Sequence, residues 1–154
     1  MLKKFVLGLA ALVCLSGAST VTQIDRIEQP NDPVWIKVGR IDSSKVTVFF
    51  DFTSLKSVEG ISTGVIMYVP DKPTEEIADD GKTKKLAASR VMNMVVDCQS
   101  QLFGILQLKL YEVERPTLMD KPVKTKIYDP VIVAPMNKGS PIDRLFCPDP
   151  KNVT

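Results

Sequence analysis

Hydrophobic and polar residues alternate along several stretches of the chain, which is the pattern of β-strands buried on one face. The first two stretches are residues 34–40 and 45–52, and the four residues between them suit a hairpin. A period of two puts four apolar residues of the second stretch on one face: Val46, Val48, Phe50 and Phe52. We expect this face in the core, with Thr47 and Asp51 outside it.

The next segment mixes turn residues, an apolar run and a charged run. Residues 53–60 suit a turn or a single helical turn, and residues 61–69 suit a third strand that stops at Pro70. Residues 71–85 carry acidic residues followed by lysines around Gly81. These acids lack the alternating spacing and the downstream Glu of a calcium loop, so we predict an exposed, solvated crossover rather than a calcium or ligand site.

Two long apolar stretches, residues 86–98 and 102–111, predict central strands of an antiparallel sheet that reverse at residues 99–101. On the first, one face holds Met92, Met94, Val96 and Cys98; on the second, one face holds Leu102, Leu106, Leu108 and Leu110. Methionines at strand spacing on an apolar face favour core packing over a metal site or a flexible binding groove. Gly104 interrupts the second face, which indicates a bulge or a close backbone approach.

Residues 122–128 predict an edge strand with two different faces. Val123, Thr125 and Ile127 face one way, and Lys124, Lys126 and Tyr128 face the other. Outward lysines protect an edge strand from unwanted pairing. The alternative is a basic ligand patch made by Lys124 and Lys126, with Lys121 beside them. Residues 129–130 then predict a turn, and residues 131–134 a short strand or extended segment.

A helix is predicted to begin after Ser140, which is a good N-cap residue and is followed by Pro141 at the first helical position. Asp143 suits the first turn, and Pro148 and Pro150 end the helix. Ile142, Leu145 and Phe146 form one face that would pack on the sheet. We therefore predict a small single α+β domain over residues 34–150, in which a C-terminal helix packs on an antiparallel sheet of about six strands.

The N-terminus has the three parts of a secretory signal peptide. Lys3 and Lys4 precede the apolar run 5–15, and small residues follow, so we predict cleavage after Ala18 and a flexible leader over residues 19–33. The run is shorter than the roughly 20 apolar residues of a membrane span, so no transmembrane anchor is expected after processing. Lipid modification of Cys14 is the alternative, although Val13 is larger than that processing signal prefers.

Removal of the signal changes the charge balance. The signal contains two of the 20 basic residues and none of the 18 acidic ones, so the mature chain is neutral. Nothing in its overall charge favours nucleic acid as a partner. We expect export through the inner membrane, to the periplasm or the outer cell surface.

Cysteine usage agrees with export. The mature chain keeps Cys98 and Cys147, and disulfides persist in exported compartments, so we predict that these two are bonded. Two free buried thiols are the alternative. A metal site is less favoured still, because two sulfurs without histidine do not complete a tetrahedral shell.

The chain contains no histidine, which excludes Ser-His-Asp and Cys-His catalysis, ordinary zinc enzyme sites and a histidine pH switch. No glycine-rich phosphate loop and no cysteine pair at metal-binding spacing occurs in the sequence. Asp51 and Asp97 are the remaining candidates for a catalytic carboxylate pair, and a turn-capping or loop-orienting role is the favoured alternative for both. We expect no enzymatic activity, no cofactor and no bound metal.

An ordered set of short motifs spans nearly the whole mature chain. The set comprises Trp35, Phe49-Phe50-Asp51 followed by Ser54 and Leu55, Ser89 ahead of Asp97-Cys98, Tyr111, and Gly139-Ser140 leading to Cys147. With these motifs the chain resembles the bacterial surface-adhesin protein E family. The resemblance implies a small α+β domain with an antiparallel sheet and a helix held by the disulfide. It also implies a dimeric outer-surface adhesin that binds host matrix proteins such as laminin or vitronectin.

The sequence thus leads to two functional hypotheses. The first is an exported, non-enzymatic binding protein that contacts host or extracellular matrix proteins at the bacterial surface. The alternative is a periplasmic inhibitor or accessory protein that acts on an enzyme, since small β domains held by a disulfide suit that role too.

Overall fold

The computed structural model describes residues 32–148, so the predicted signal peptide, Cys14 and nearly all of the predicted leader lie outside the described residues. The described part contains eight strands and one helix. Their bounds are β1 Trp35–Ile41, β2 Val46–Val58, β3 Ile61–Pro70, β4 Thr74–Ile77, β5 Lys84–Ala87, β6 Ser89–Asp97, β7 Leu102–Tyr111, β8 Lys124–Pro135 and α1 Pro141–Phe146.

Six of the strands form one antiparallel sheet in the order β1-β2-β3-β6-β7-β8, and β4 and β5 form a separate two-stranded sheet. The prediction of a small domain with a mainly antiparallel sheet and a C-terminal helix is confirmed. The prediction of a solvated loop at residues 71–85 is wrong, because this segment contains β4 and the start of β5. These strands are largely polar and pair partly through charge, with Lys84 Nζ 2.8 Å from Glu75 Oε1, so they lack the apolar alternation that marks a strand.

Strand β2 continues to Val58, through most of the segment 53–60 where a turn or helical turn was predicted, and only residues 59 and 60 form a turn. Its pairing with β3 shifts register between Asp51 and Lys56, which marks a bulge. Two residues of this part of β2 depart from the predicted burial. Phe52 is 45% exposed, whereas Asp51 is fully buried and accepts hydrogen bonds from the Val34 and Thr53 amides at 3.3 and 3.1 Å.

Strand β7 has the predicted bounds, but its predicted apolar face is wrong in the first half. Asn93 and Met94 of β6 pair with Gln107 and Ile105, so Leu106 is an extra residue on β7. Phe103 and Ile105 therefore pack on the core instead of Leu102 and Leu106. Likewise, β8 does not turn at residues 129–130 but continues to Pro135 through an irregular register.

The larger core lies between the sheet and α1. Its buried members are Val48, Phe50, Ile66, Met92, Met94, Val96, Met136 and Phe146. The core role predicted for the methionines of β6 is confirmed. Phe146 is fully buried and meets the Phe50 ring edge to face, with the ring centroids 5.2 Å apart. Gly64 makes room for both rings, because a Cβ there would lie 2.9 Å from Phe146 Cε1 and 3.1 Å from Phe50 Cζ.

One local contact caps α1, and two others attach it to the sheet. Ser140 caps the helix as predicted, and its side chain accepts a hydrogen bond from the Asp143 amide. Cys98 at the end of β6 is bonded to Cys147, which directly follows the helix, so the predicted disulfide is confirmed. Ser62 Oγ on β3 donates to the Phe146 carbonyl at 2.8 Å.

A second, smaller core lies on the opposite face of the sheet and contains Phe49, Val65, Met67, Val91 and Tyr111. The segment between β7 and β8 contacts this face. Trp35 Nε1 donates to the Pro116 carbonyl at 3.0 Å, and the Arg115 guanidinium lies 5.3 Å from the centre of the Phe49 ring. The sheet therefore has packed residues on both faces, which is why apolar residues of β2 and β3 do not alternate strictly.

Candidate functional site

Lys124 and Lys126 of β8 are the last members of two rows of paired side chains that cross the main sheet. One row is Val48, Tyr68, Arg90, Leu110 and Lys124, and the next is Phe50, Ile66, Met92, Leu108 and Lys126. Residues paired directly across strands lie on the same face of a sheet. Lys124 and Lys126 therefore lie on the face that carries α1 and the larger core, at its outer edge.

The edge strand and the alternation predicted for residues 122–128 agree with this arrangement, since β8 is the last strand of the sheet. Lys126 is exposed and the Lys124 side chain is 39% exposed, as the prediction of outward lysines requires. Their rows nevertheless place them beside Leu108 and Leu110, and Ile127, 64% exposed, lies on the other face. The sequence pattern separates the two faces but contains no signal for which of them carries the core.

A groove of about 210 Å³ lies where β4 approaches this corner of the sheet. We call it the edge groove; it is lined by Glu76, Arg90, Leu108, Leu110, Lys124, Lys126 and Tyr128. The two leucines provide an apolar surface that is continuous with the larger core, because Leu108 also packs against that core. Charged side chains surround this apolar surface.

One carboxylate is shared by two of the cations in the edge groove. Arg90 Nη2 lies 3.4 Å from Glu76 Oε1, and Lys124 Nζ lies 3.9 Å from Glu76 Oε2. Arg90 Nη2 also donates to Thr74 Oγ1 at 3.2 Å. Lys126 Nζ instead lies 5.1 Å from the centre of the Tyr128 ring, a cation–π contact.

The turn between β4 and β5 is hydrogen-bonded to Val123 and to the first part of β8, beside the edge groove. The Asp79 amide donates to the Val123 carbonyl at 3.2 Å, and the Asp79 carboxylate accepts a hydrogen bond from the Thr125 amide at 3.0 Å. A free edge strand would leave such backbone groups open to another chain. Asp79 therefore protects the first part of β8 and also fixes β4, with Glu76, beside the lysines.

The two carboxylates considered for catalysis do not come together. Asp51 pairs with Val65 of β3 and Asp97 with Ile61 of the same strand, so four residues, or about 13 Å along the strand, separate them. Asp51 binds the amides around the β2 bulge. Asp97 caps the β6–β7 turn by accepting hydrogen bonds from Gln99 and Ser100. Each carboxylate thus has the turn-capping or loop-orienting role given as the alternative.

Three of the described carboxylates with a lowered pKa cap turns, whereas the fourth, Asp71, has its pKa lowered by the Arg40 guanidinium. Burial opposes ionisation of Asp97, but hydrogen bonds from Ser100 and Gln99 outweigh it and hold the pKa below its ordinary value. Hydrogen bonds from Thr83 and Lys82 lower the pKa of Asp80 to about 2, and those from Thr117 lower the pKa of Asp120. Residues 32–148 contain no cluster of three or more side chains suited to hold a metal ion.

Sequence reasoning missed Glu76 and Arg90 as members of the site. Glu76 lies in the segment predicted as loop, and Arg90 lies in a strand chosen for its apolar residues. The alternation of Thr74, Glu75, Glu76 and Ile77 is too weak and too polar to predict a strand. The sequence alone therefore carries no signal that these two side chains meet Lys124.

The motif residues behind the family resemblance have structural roles outside the edge groove. Ser54 Oγ donates to the Asp51 carbonyl and accepts from the Val65 amide, which supports the β2 bulge. Ser89 Oγ donates to the Val113 carbonyl at 2.6 Å, and Trp35 binds Pro116 on the same loop. These motif residues therefore support the fold.

Comparison with known proteins bears on the whole domain. The surface-adhesin protein E family matches residues 35–146, which include every strand and the helix described above. No curated protein matches the chain. Within the described part of the chain, no helix has the length and apolar character needed to cross a membrane.

Proposed function

The chain belongs to the surface-adhesin protein E family, and from this premise we propose that it is an exported, non-enzymatic adhesin that contacts host or extracellular matrix proteins. The family match supports a cell-surface or exported protein. The contact surface we propose is the basic end of the main sheet, formed by Lys124 and Lys126. This surface supports the proposal because it combines positive charge with neighbouring apolar side chains at an accessible edge.

Lys126 is the residue whose contacts support this choice of surface. It makes no ion pair with any residue between 32 and 148, and its ammonium group contacts only the Tyr128 ring among the interactions described. Lys124 has one distant carboxylate partner, at 3.9 Å. Since the mature chain would have no net charge, attraction of an acidic ligand depends on a local excess of this kind.

We propose further that residues 1–18 are the export signal. The paired lysines, the apolar run and the small residues before position 19 support it. Intact-mass spectrometry of the exported protein is expected to give a chain that begins at Ser19. A mass that includes Met1, or a lipid adduct on Cys14, would contradict this assignment.

Charge reversal at the proposed surface is expected to weaken binding of residues 19–154 to immobilised laminin or vitronectin. We expect the double variant Lys124→Glu/Lys126→Glu to lose about tenfold or more in affinity, because two attractive charges become repulsive. Wild-type binding should also weaken as salt is added, since exposed charges are screened beyond about 8 Å at physiological ionic strength. Surface plasmon resonance measures both effects.

The matched control is Lys37→Glu/Lys56→Glu, which changes the net charge equally at two exposed positions on β1 and β2. This control should bind like the wild type. Equal weakening by both double variants would show that net charge, and not the β8 surface, governs binding. Absence of saturable binding to either matrix protein by the folded wild type would favour the periplasmic inhibitor or accessory role.

A further inference from the structure

The edge groove has an excess of positive charge that its own residues do not balance. Among the described side chains that line it, Arg90, Lys124 and Lys126 are cationic and Glu76 is anionic. Glu76 contacts two of the three cations at 3.4 and 3.9 Å, which is longer than the roughly 2.7–2.9 Å of a strong charged hydrogen bond. Lys126, moreover, has no carboxylate within ion-pair distance among the described residues, and its Nζ lies over the Tyr128 ring. The groove therefore has donors available for a second carboxylate.

The shape and surface of the groove restrict what that ligand is. Its volume of about 210 Å³ lies below the roughly 300–1,000 Å³ of sites that enclose whole small molecules, so it suits a single side chain. Leu108 and Leu110 offer apolar contact, and the Tyr128 ring lies beside them. A sulfated sugar has no aliphatic part to bury there, whereas a glutamate side chain has a carboxylate on an apolar stem.

We propose that the edge groove binds a glutamate side chain of a protein ligand, with the stem against Leu108 and Leu110 and the carboxylate among Arg90, Lys124 and Lys126. This inference rests on the proposed binding function and names the ligand chemistry of the same surface. Glu76 is then an internal competitor that occupies the cations while no ligand is bound. An incoming glutamate must displace Glu76 from Arg90 or share the guanidinium with it.

The role of Glu76 leads to a result that a simple basic patch would not produce. Glu76→Gln keeps the shape of the side chain but removes the competing charge, so we expect about fivefold tighter binding of a glutamate ligand. Arg90→Gln removes the central donor and is expected to weaken binding by about fivefold or more. The side chains of Arg90 and Lys124 are 41% and 39% exposed, so water can solvate them when Glu76 is neutralised.

The probe is a blocked hexaglutamate peptide, titrated into isotope-labelled protein and followed by NMR, with blocked hexaglutamine as the uncharged counterpart. Amide shifts at residues 108, 126 and 128 locate the binding. Glu75→Gln is the matched control, because Glu75 neighbours Glu76 but pairs with Lys84 and does not line the groove. Arg40→Gln controls for loss of one positive charge elsewhere, since Arg40 pairs with Asp42 and Asp71.

We expect hexaglutamate to bind with a strength that rises in Glu76→Gln, falls in Arg90→Gln and stays unchanged in both controls. Equal changes in Glu76→Gln and Glu75→Gln would overturn the competitor role. Binding of a heparin oligosaccharide at these residues, with no binding of hexaglutamate, would overturn the choice of ligand. Thermal unfolding of each variant verifies that it is folded, and retention of wild-type peptide binding by folded Arg90→Gln would overturn the site itself.

The outcomes also separate this inference from the proposed function. If hexaglutamate binds the groove as described but no matrix protein binds the domain, the groove remains and the matrix ligand is wrong. If matrix proteins bind but Glu76→Gln and Arg90→Gln leave their affinity unchanged, the adhesin function remains and the groove is not its contact.

Discussion

Replacement of Cys98 and Cys147 by serine is expected to lower the free energy of unfolding by about 2–5 kcal/mol. The disulfide closes a loop with a sequence separation of 49, for which the chain-entropy model gives about 4 kcal/mol. The bond also joins the end of β6 to the residue that follows α1. Without it, the six-residue helix depends on the packing of Ile142, Leu145 and Phe146 and on the Ser62 hydrogen bond to stay on the sheet.

Urea unfolding monitored by circular dichroism measures this loss. The matched control is the corresponding pair of alanine substitutions, which removes the same cross-link without introducing hydroxyl groups beside the core. Both pairs should be destabilised by similar amounts, because the cross-link is the shared change. Alkylation of both cysteines in the unreduced protein would contradict the disulfide, and a stability loss below about 1 kcal/mol would contradict its importance.

Phe146→Ala is expected to destabilise the protein by about 3–5 kcal/mol, the usual range for truncating a fully buried aromatic side chain. Phe146 is the apolar anchor of α1, and its ring fits against Phe50 in the space left by Gly64. Truncation would leave a cavity over β3 that the short helix cannot fill, since the disulfide restricts its movement.

Phe52→Ala provides a matched control for this prediction. Phe52 also meets the Phe50 ring edge to face, with the centroids 4.8 Å apart, but it is 45% exposed whereas Phe146 is fully buried. We expect Phe52→Ala to lower the free energy of unfolding by about 1 kcal/mol, because the ring is only partly buried and water fills the space that it leaves. Equal losses for the two variants would mean that α1 does not depend on Phe146 for its attachment.

Local chemistry determined the parts of the fold that the sequence predicted well. The Ser140-Pro141 start of α1 depends on backbone groups within one turn, so its signal lies within a few residues. The reversal between β6 and β7 is similarly local, with Asp97 capping a turn at the predicted residues. Cys98 and Cys147 were paired correctly because the mature chain was expected to keep no other cysteine.

The positions of the bulges could not be predicted from a single strand, because a bulge is defined by its pairing with the neighbouring strand. Leu106 looks like a core residue by its own alternation, but its extra position on β7 appears only when β7 is aligned with β6. Asp51 was expected outside the core because it alternates with the apolar residues of β2. It is buried because it pairs with Val65 on the second packed face, where the amides of Val34 and Thr53 donate to its carboxylate. A period of two holds only while the ladder is regular.

The sequence by itself determined that Lys124 and Lys126 share one face of an edge strand, because alternation along a strand is a local property. Only the tertiary structure decided which face that is, and it placed Glu76 of β4 and Arg90 of β6 beside these lysines. Such contacts join residues far apart in sequence and depend on the register of three strand pairings and on the position of the β4–β5 turn. No pattern along one strand encodes that arrangement, because it arises from packing between elements.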